Sequence, residues 1–436
     1  MLLNDLATVV GFDHCLTDPD LRAAYELDWT GRYRGLTTAV LRPGSVEELG
    51  SVLALCHEAG RPVVVQGGNT GMVGGGVPLA GELVVSVARL GNVQVVNESS
   101  VRAGAGTTLA RLQEAASSVG AGFGVDTAAR DSATVGGMIA TNAGGMNVVR
   151  FGPMADQLLD AGVVLADGSY LPSLREIGPD HPARGLIGHL AGSEGILAVV
   201  AHADLVIGCD PGLVTVAMVE VPAGRLQPFV GAVEELSSVY AIELFGAREV
   251  ELAARGIGRT VPLSADWLAL IECRADEDPA GELGMVVGDL PAIVATNRTV
   301  GEELWLFREA LTEEVSKLGI PHKFDVRVPH DALNELRPAV EAVVPEGRVF
   351  VWGHAYSNRH GHPTANLHVN VIGNVDDEAV FDVIEELGGS IAAEHGIGTA
   401  KRHRAAGARG DLPKLRELKA RLDPKAILNP NVLLPP

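Results

Sequence analysis

A β-branched run, Val63-Val64-Val65, delivers the chain into Gln66-Gly67-Gly68-Asn69-Thr70-Gly71-Met72-Val73-Gly74-Gly75-Gly76, a stretch with almost no side chains in the way. Such a loop can turn successive backbone N–H groups onto a phosphate. A single loop of this kind is as readily a turn with no ligand. Here the pattern recurs, in Val135-Gly136-Gly137-Met138-Ile139-Ala140-Thr141-Asn142-Ala143-Gly144-Gly145 and in Ala191-Gly192-Ser193-Glu194-Gly195, each beside an apolar segment. A nicotinamide-type Rossmann loop opens a helix and is followed by an acidic residue about 20 positions on. This one runs instead into Leu83-Val84-Val85-Ser86-Val87, which reads as another strand. Several glycine-rich loops around one large cofactor fit better than a single dinucleotide site at a helix terminus.

At 436 residues the chain exceeds the size at which one core keeps growing, so two domains are expected. A net charge of −21 argues against nucleic acid or an anionic membrane surface as partner, since both need a basic footprint. A protein this acidic that handles an anion must gather its cations locally. Cys15, Cys56, Cys209 and Cys273 show no paired spacing, so neither a disulfide framework nor an iron–sulfur motif can be assembled from them. No basic segment with an apolar core opens the chain, and no apolar run approaches the ~18 residues of a membrane helix. The expectation is a soluble, cytoplasmic protein with no membrane span.

Residues 1 to about 32 read as a helical lead-in, followed by a short strand at Ala39–Pro43. A helix then runs from Ser45, which has capping-box spacing to Glu48, to about Gly60. Short strands alternate with glycine turns as far as Ile207, with a helix over Thr107–Val119. The composition changes at Cys209-Asp210-Pro211-Gly212, a domain boundary. Beyond it, strands at Val214–Glu220 and Trp267–Glu272 and a helix at Leu226–Ser238 suggest an antiparallel sheet with helices on one face. A charged amphipathic helix, Leu412–Leu422, precedes Asp423-Pro424-Lys425-Ala426-Ile427-Leu428-Asn429-Pro430.

Candidate chemistry lies in the second half. Val349–His354 leads through a polar loop to Asn366-Leu367-His368-Val369-Asn370, where strand alternation puts His368 and Asn370 on one face. Glu394-His395 sits among small residues further on. Two histidines and a glutamate suit a divalent cation, and a histidine left off the metal can move a proton. In Leu304–Glu314, helical spacing puts Arg308 and Thr312 on one side. Arg308 is shaped to hold a carboxylate through parallel hydrogen bonds, and Lys323 offers a second positive charge. By sequence alone this helix reads more simply as exposed, with ordinary charges.

Taken together, the Gly67–Gly75 loop, Ala140–Gly145, Asn366–Asn370, Ala393-Glu394-His395-Gly396-Ile397-Gly398 and Leu428-Asn429-Pro430 resemble the FAD-dependent D-2-hydroxyacid dehydrogenases. The likeness runs from about Ala39 to Leu434. It implies an α+β fold: a two-part FAD-binding domain of vanillyl-alcohol-oxidase type over residues 33–210, an antiparallel-sheet substrate or cap domain over 211–388, and a C-terminal segment, 389–436, returning to the flavin.

The resemblance also implies roles. Gly67, Gly68, Asn69, Thr70 and Gly71 hold the FAD pyrophosphate; Gly136, Gly137, Thr141, Asn142, Gly144 and Gly145 lie along the cofactor, and Asn429 approaches it from the tail. FAD is non-covalent, because Asn69 and Thr70 stand where relatives with covalent flavin carry a histidine. Arg308, Thr312, Lys323 and Asn370 bind a small anionic D-2-hydroxy acid. His354, His368 and Glu394 match the ligands of a divalent metal, zinc by expectation, with His362 as the alternative first ligand because the segment between the two histidines is longer than usual. His395 matches the catalytic base. Electrons leave to an external acceptor, an electron-transfer protein or a quinone, and a homodimer is left open. The rival readings are a flavin oxidase using oxygen, a non-catalytic flavin-binding subunit of a larger complex, and a metal-dependent hydrolase with structural glycines.

Overall fold

Strands form where β-branched residues cluster. The computed structural model describes residues 1–209, 212–357 and 363–435. It resolves into two units: Met1–Ala143, Pro153–Cys209 and His395–Pro436 in the first, Gly144–Gly152 and Asp210–Glu394 in the second. The composition change expected at Cys209–Gly212 falls partly outside the described residues.

In the first unit, Val63–Gln66 lies parallel to Leu83–Ser86, which lies parallel to Val40–Leu41. Cys15–Leu16 pairs antiparallel with Val40–Leu41, completing a four-stranded sheet. All of Leu83–Ser86 is buried, as expected of a parallel strand covered on both faces. The helix Val46–Glu58 makes the crossover. The Ser45 hydroxyl accepts from the Glu48 N–H at 3.2 Å, but the Glu48 carboxylate caps Gly44 N, at 2.7 Å, rather than Ser45. A second sheet is antiparallel and five-stranded, built from Val93–Asn97, Ser100–Gly104, Val199–Val206, Leu158–Val164 and Tyr170–Leu171.

Two expectations fail here. The lead-in is one helix, Leu2–Val10, followed by single turns, because Gly11 at φ 84° ends the helix and Pro19 restarts the chain. The second glycine-rich stretch is not wholly a loop: Val135–Thr141 is helical, with the Thr134 hydroxyl accepting from Gly137 N–H. Capping outweighs the low helix propensity of two glycines over so short a span.

The second unit is organised by a fully antiparallel seven-stranded sheet. Its strands in chain order are β1 (Leu213–Val221), β2 (Val239–Phe245), β3 (Trp267–Ala275), β4 (Ala292–Ala295), β5 (His322–Pro329), β6 (Arg348–Ser357) and β7 (Pro363–Ile372), and their spatial order is β4-β1-β3-β2-β6-β7-β5. On one face Val216, Met218, Leu268, Leu270, Phe245 and Trp352 pack under Leu304, Phe307, Leu311 and Val315 of the helices Arg298–Glu309 and Leu311–Lys317. Continued onto β7 and β5, the same face becomes polar. Register aligns Phe350 with Asn370 and Lys323, Trp352 with His368 and Asp325, and His354 with Asn366 and Arg327. Alternation sends Leu367, Val369, Val371, Phe324, Val326 and Val328 to the opposite face, where all are buried. Burying that side fixes the register, since a one-residue slip would exchange the two faces.

Candidate active site

The polar part of this face begins on β2. Glu243 is fully buried, its strand neighbours are apolar, and register places it beside His354. One carboxylate oxygen accepts from His354 Nδ1 and the other from Arg308 Nε. Arg308 is 8% exposed, and its guanidinium lies 6.0 Å from the centre of the Trp352 ring. The reading of an exposed helix with ordinary charges is therefore wrong at Arg308. The helix also breaks at Ala310, so Arg308 and Thr312 stand on separate helices, with Thr312 partly buried.

His354 donates through Nδ1, which leaves Nε2 as the nitrogen that faces Glu394; Nε2 lies 3.7 Å from a carboxylate oxygen of that residue. The rings of His354 and His368 stand edge to face, 5.5 Å apart. Asp325, also buried, has one oxygen 3.5 Å from His368 Nδ1, and the other accepts from the N–H groups of Ala393 and Glu394 at 3.2 and 2.6 Å. Asp325 thus holds the segment that carries Glu394 and sets a carboxylate beside the His368 imidazole. The other Glu394 oxygen accepts from Gly145 N–H at 2.9 Å. A Cβ on Gly144 would lie 2.5 Å from this carboxylate, so a larger residue there would displace the Glu394 side chain. Gly144 and Gly145 therefore cradle Glu394.

One ligand atom from each of His354, His368 and Glu394 lies within 4.8 Å of the other two. Two nitrogens and one oxygen so gathered suit a divalent cation. The electrostatics agree. Burial opposes a charge on His354, but Glu243 and Glu394 outweigh it and hold the imidazole up to about 10. The same pairing holds Glu394 below the usual carboxylate range against its burial. Two carboxylates therefore favour a positive charge at His354. Asn366 adds a second sign of a ligand. It is 4% exposed, and among the described residues neither its amide nitrogen nor its oxygen has a hydrogen-bond partner. Asn370 donates to the His368 carbonyl at 3.2 Å, and burial pushes the neighbouring Lys323 down to about 8. His362 lies outside the described residues.

In the first unit, the loop after Val63–Gln66 holds its backbone open. Among the described residues, no protein acceptor takes the N–H groups of Gly67, Gly68, Asn69, Thr70 or Gly71. A Cβ on Gly68 would run into the Ser132 carbonyl, so the loop lies flat against the segment leading to Val135–Thr141. Gly136 and Gly137 lie in that helix, and the Thr141 hydroxyl bonds back to Gly137 O at 3.1 Å. Asn142 ends the helix in the left-handed conformation, its side chain accepting from Ala155 N–H at 2.8 Å. The Asn69 amide donates to Ala24 O and Leu27 O, which pins the loop to the N-terminal segment. Asn429 is used structurally: its Oδ1 accepts from Val65 N–H at 2.9 Å and its Nδ2 donates to Glu194 O at 2.7 Å. The Glu194 carboxylate accepts from Ile397 and Gly398 N–H, both at 2.7 Å, fixing the turn that follows half-buried His395.

Comparison with known proteins decides the family. Residues 37–172 match the FAD binding domain family, and residues 226–433 match the C-terminal domain of FAD linked oxidases. Bovine (Bos taurus) mitochondrial D-2-hydroxyglutarate dehydrogenase is 32% identical over 96% of this chain and 81% of its own. The chain belongs to the FAD-dependent D-2-hydroxyacid dehydrogenases. The rat (Rattus norvegicus) enzyme of the same name is 30% identical over 96% of this chain and 82% of its own. The fold is that of p-cresol methylhydroxylase, whose substrate-bound structure superposes with a TM-score of 0.78 at 12% identity over 100% of this chain and 96% of that one. The open N–H groups of Gly67–Gly71 suit the phosphates of FAD.

Sequence reasoning missed four residues of this dehydrogenase. Glu243 is a lone charge in the apolar strand Ala241-Ile242-Glu243-Leu244-Phe245, a signal that was there to be read. Asp325 alternates with Lys323 and Arg327 between apolar neighbours, which marks one polar strand face. Asn366 and Glu194 were visible only as members of longer motifs.

Proposed function

We propose that this dehydrogenase oxidises a small D-2-hydroxy acid to the 2-oxo acid with metal assistance, passing the electrons from FAD to an external acceptor. The observation that carries the reading is the mixed character of one sheet face. A two-histidine, one-carboxylate set suited to a divalent cation, zinc by expectation, shares that face with Lys323 and Asn370 and reaches Arg308 through Glu243. Bound there, the metal supplies positive charge that favours ionisation of the substrate hydroxyl, while FAD supplies the two-electron acceptor.

The protein's own residues do the rest. Arg308, Lys323 and Thr312 bind and orient the carboxylate, with Arg308 and Lys323 contributing the charge. Glu243 holds the His354 imidazole, Asp325 places a carboxylate beside His368, and Asn370 contacts the substrate. His395, one peptide bond from Glu394, takes the hydroxyl proton as hydride leaves the α-carbon. Gly67–Gly71 hold the cofactor without a covalent link. An external acceptor is supported by the cysteines: Cys15, Cys56 and Cys273 are buried and free, and burial pushes the thiols of Cys56 and Cys273 up to about 12 and 11. Among the described residues no helix is long and apolar enough to cross a membrane.

Anaerobic bleaching of the flavin by a panel of D- and L-2-hydroxy acids tests the proposal. Bleaching confined to D-isomers is expected. Bleaching by L-isomers alone, or by none, overturns it.

A further inference from the structure

Two assignments of the proposed function meet on one side chain. Arg308 is read as a substrate cation and His354 as a metal ligand, and nothing given by the sequence links them. We propose that Glu243 is a positioning residue coupling the metal site to the carboxylate clamp, so that what happens at Arg308 changes the affinity of His354, His368 and Glu394 for metal. The inference rests on the function proposed above.

The carboxylate is fully buried on a central strand, with one oxygen on His354 Nδ1 and the other on Arg308 Nε. Water is excluded, so its single negative charge is divided between two partners rather than screened. A carboxylate on the far nitrogen of a ligating histidine fixes the tautomer and makes the ring a better donor. Arg308 competes for that same charge. Whatever draws Arg308 toward a bound anion releases Glu243 to His354, and whatever withdraws density from His354 pulls Glu243 away from Arg308. The arrangement also restricts recognition: with Nε taken by Glu243, Arg308 has its two terminal nitrogens left for a paired grip on the substrate carboxylate.

The experiment measures metal binding, with no turnover required. FAD-loaded parent, Arg308→Leu, Glu243→Gln and the double variant are stripped of metal and titrated with Zn2+ against a chromophoric chelator. Glu243→Gln is expected to weaken Zn2+ binding roughly 10- to 100-fold, the usual effect of removing an outer-shell partner. Arg308→Leu is expected to tighten it when Glu243 is present and to change it little in the glutamine background. The two changes should be non-additive by a factor of roughly 2 to 150, as for residues in one network. Should Glu243→Gln fail to hold FAD, Glu243→Asp replaces it, since the shorter carboxylate cannot reach both partners. Additive effects, or a glutamine variant that binds Zn2+ like the parent, overturn the inference alone. A parent that binds no Zn2+ overturns the function proposed above as well.

Discussion

Raising the pH through 8 perturbs Lys323 in a way that isolates its role. Burial holds the ammonium down at about 8, so it is mostly charged at pH 7 and mostly neutral at pH 9. A charge-assisted hydrogen bond to the substrate carboxylate is worth roughly 1.5–3 kcal/mol, so the neutral amine binds roughly 10- to 150-fold more weakly. The sign is fixed: affinity is full below pH 8 and lost above it. By linkage, a bound anion raises the lysine pKa by the same free energy, about 1–2 units. Hence kcat/KM, which reports the free enzyme, should bend near pH 8, and kcat should bend about 1–2 units higher. The assay is anaerobic flavin reduction between pH 6 and 10. Lys323→Arg, whose guanidinium does not deprotonate in this range, should remove the bend, and Lys323→Met should give a low profile without it. A limb from His354, held up to about 10 by Glu243 and Glu394, would survive in the arginine variant. A bend unchanged in Lys323→Arg, or a parent profile flat to pH 9.5, would refute the reasoning.

Metal removal by a chelator should abolish flavin bleaching by substrate while the protein stays yellow, and His368→Ala should reproduce this; a metal-free sample that turns over at the parent rate sinks the metal assignment. His395→Asn should keep metal and FAD but slow anaerobic flavin reduction by roughly 10²–10⁴-fold, the usual contribution of a positioned base. Reduction at the parent rate excludes His395 as that base. Asn366→Leu removes two buried polar atoms that have no partner among the described residues, each costing about 1–3 kcal/mol when unsatisfied. Its melting temperature should therefore rise while substrate-driven reduction falls, and the opposite pair of changes would show that the amide serves the fold.

Local patterns were the legible part. Ser45 marked a helix start, the β-branched run marked Val63–Gln66, and alternation put His368 and Asn370 on one face, all as the structure has them. What failed were segments where one residue outweighs composition: Gly11 ends the first helix, and Thr134 caps a helix through two glycines. Glu243 escaped for another reason. Its partners Arg308 and His354 lie 65 and 111 residues away, and only the strand order β2-β6 brings one of them alongside. Local periodicity reports which face a side chain takes, but it carries nothing about which distant strand will lie beside it.

The charges on that face bear on how a protein of net charge −21 would bind an anion there, as proposed above. Glu243, Asp325 and Glu394 bring three carboxylates, and Arg308, Lys323 and Arg327 bring three cations, so the side chains alone cancel. A proton on His354, favoured by its two carboxylate neighbours, leaves the face with one positive charge. A divalent cation that displaces the proton leaves two. Metal loading at the proposed site would therefore raise the attraction for a carboxylate substrate even before any direct ligation, and the gain would be largest where burial limits screening.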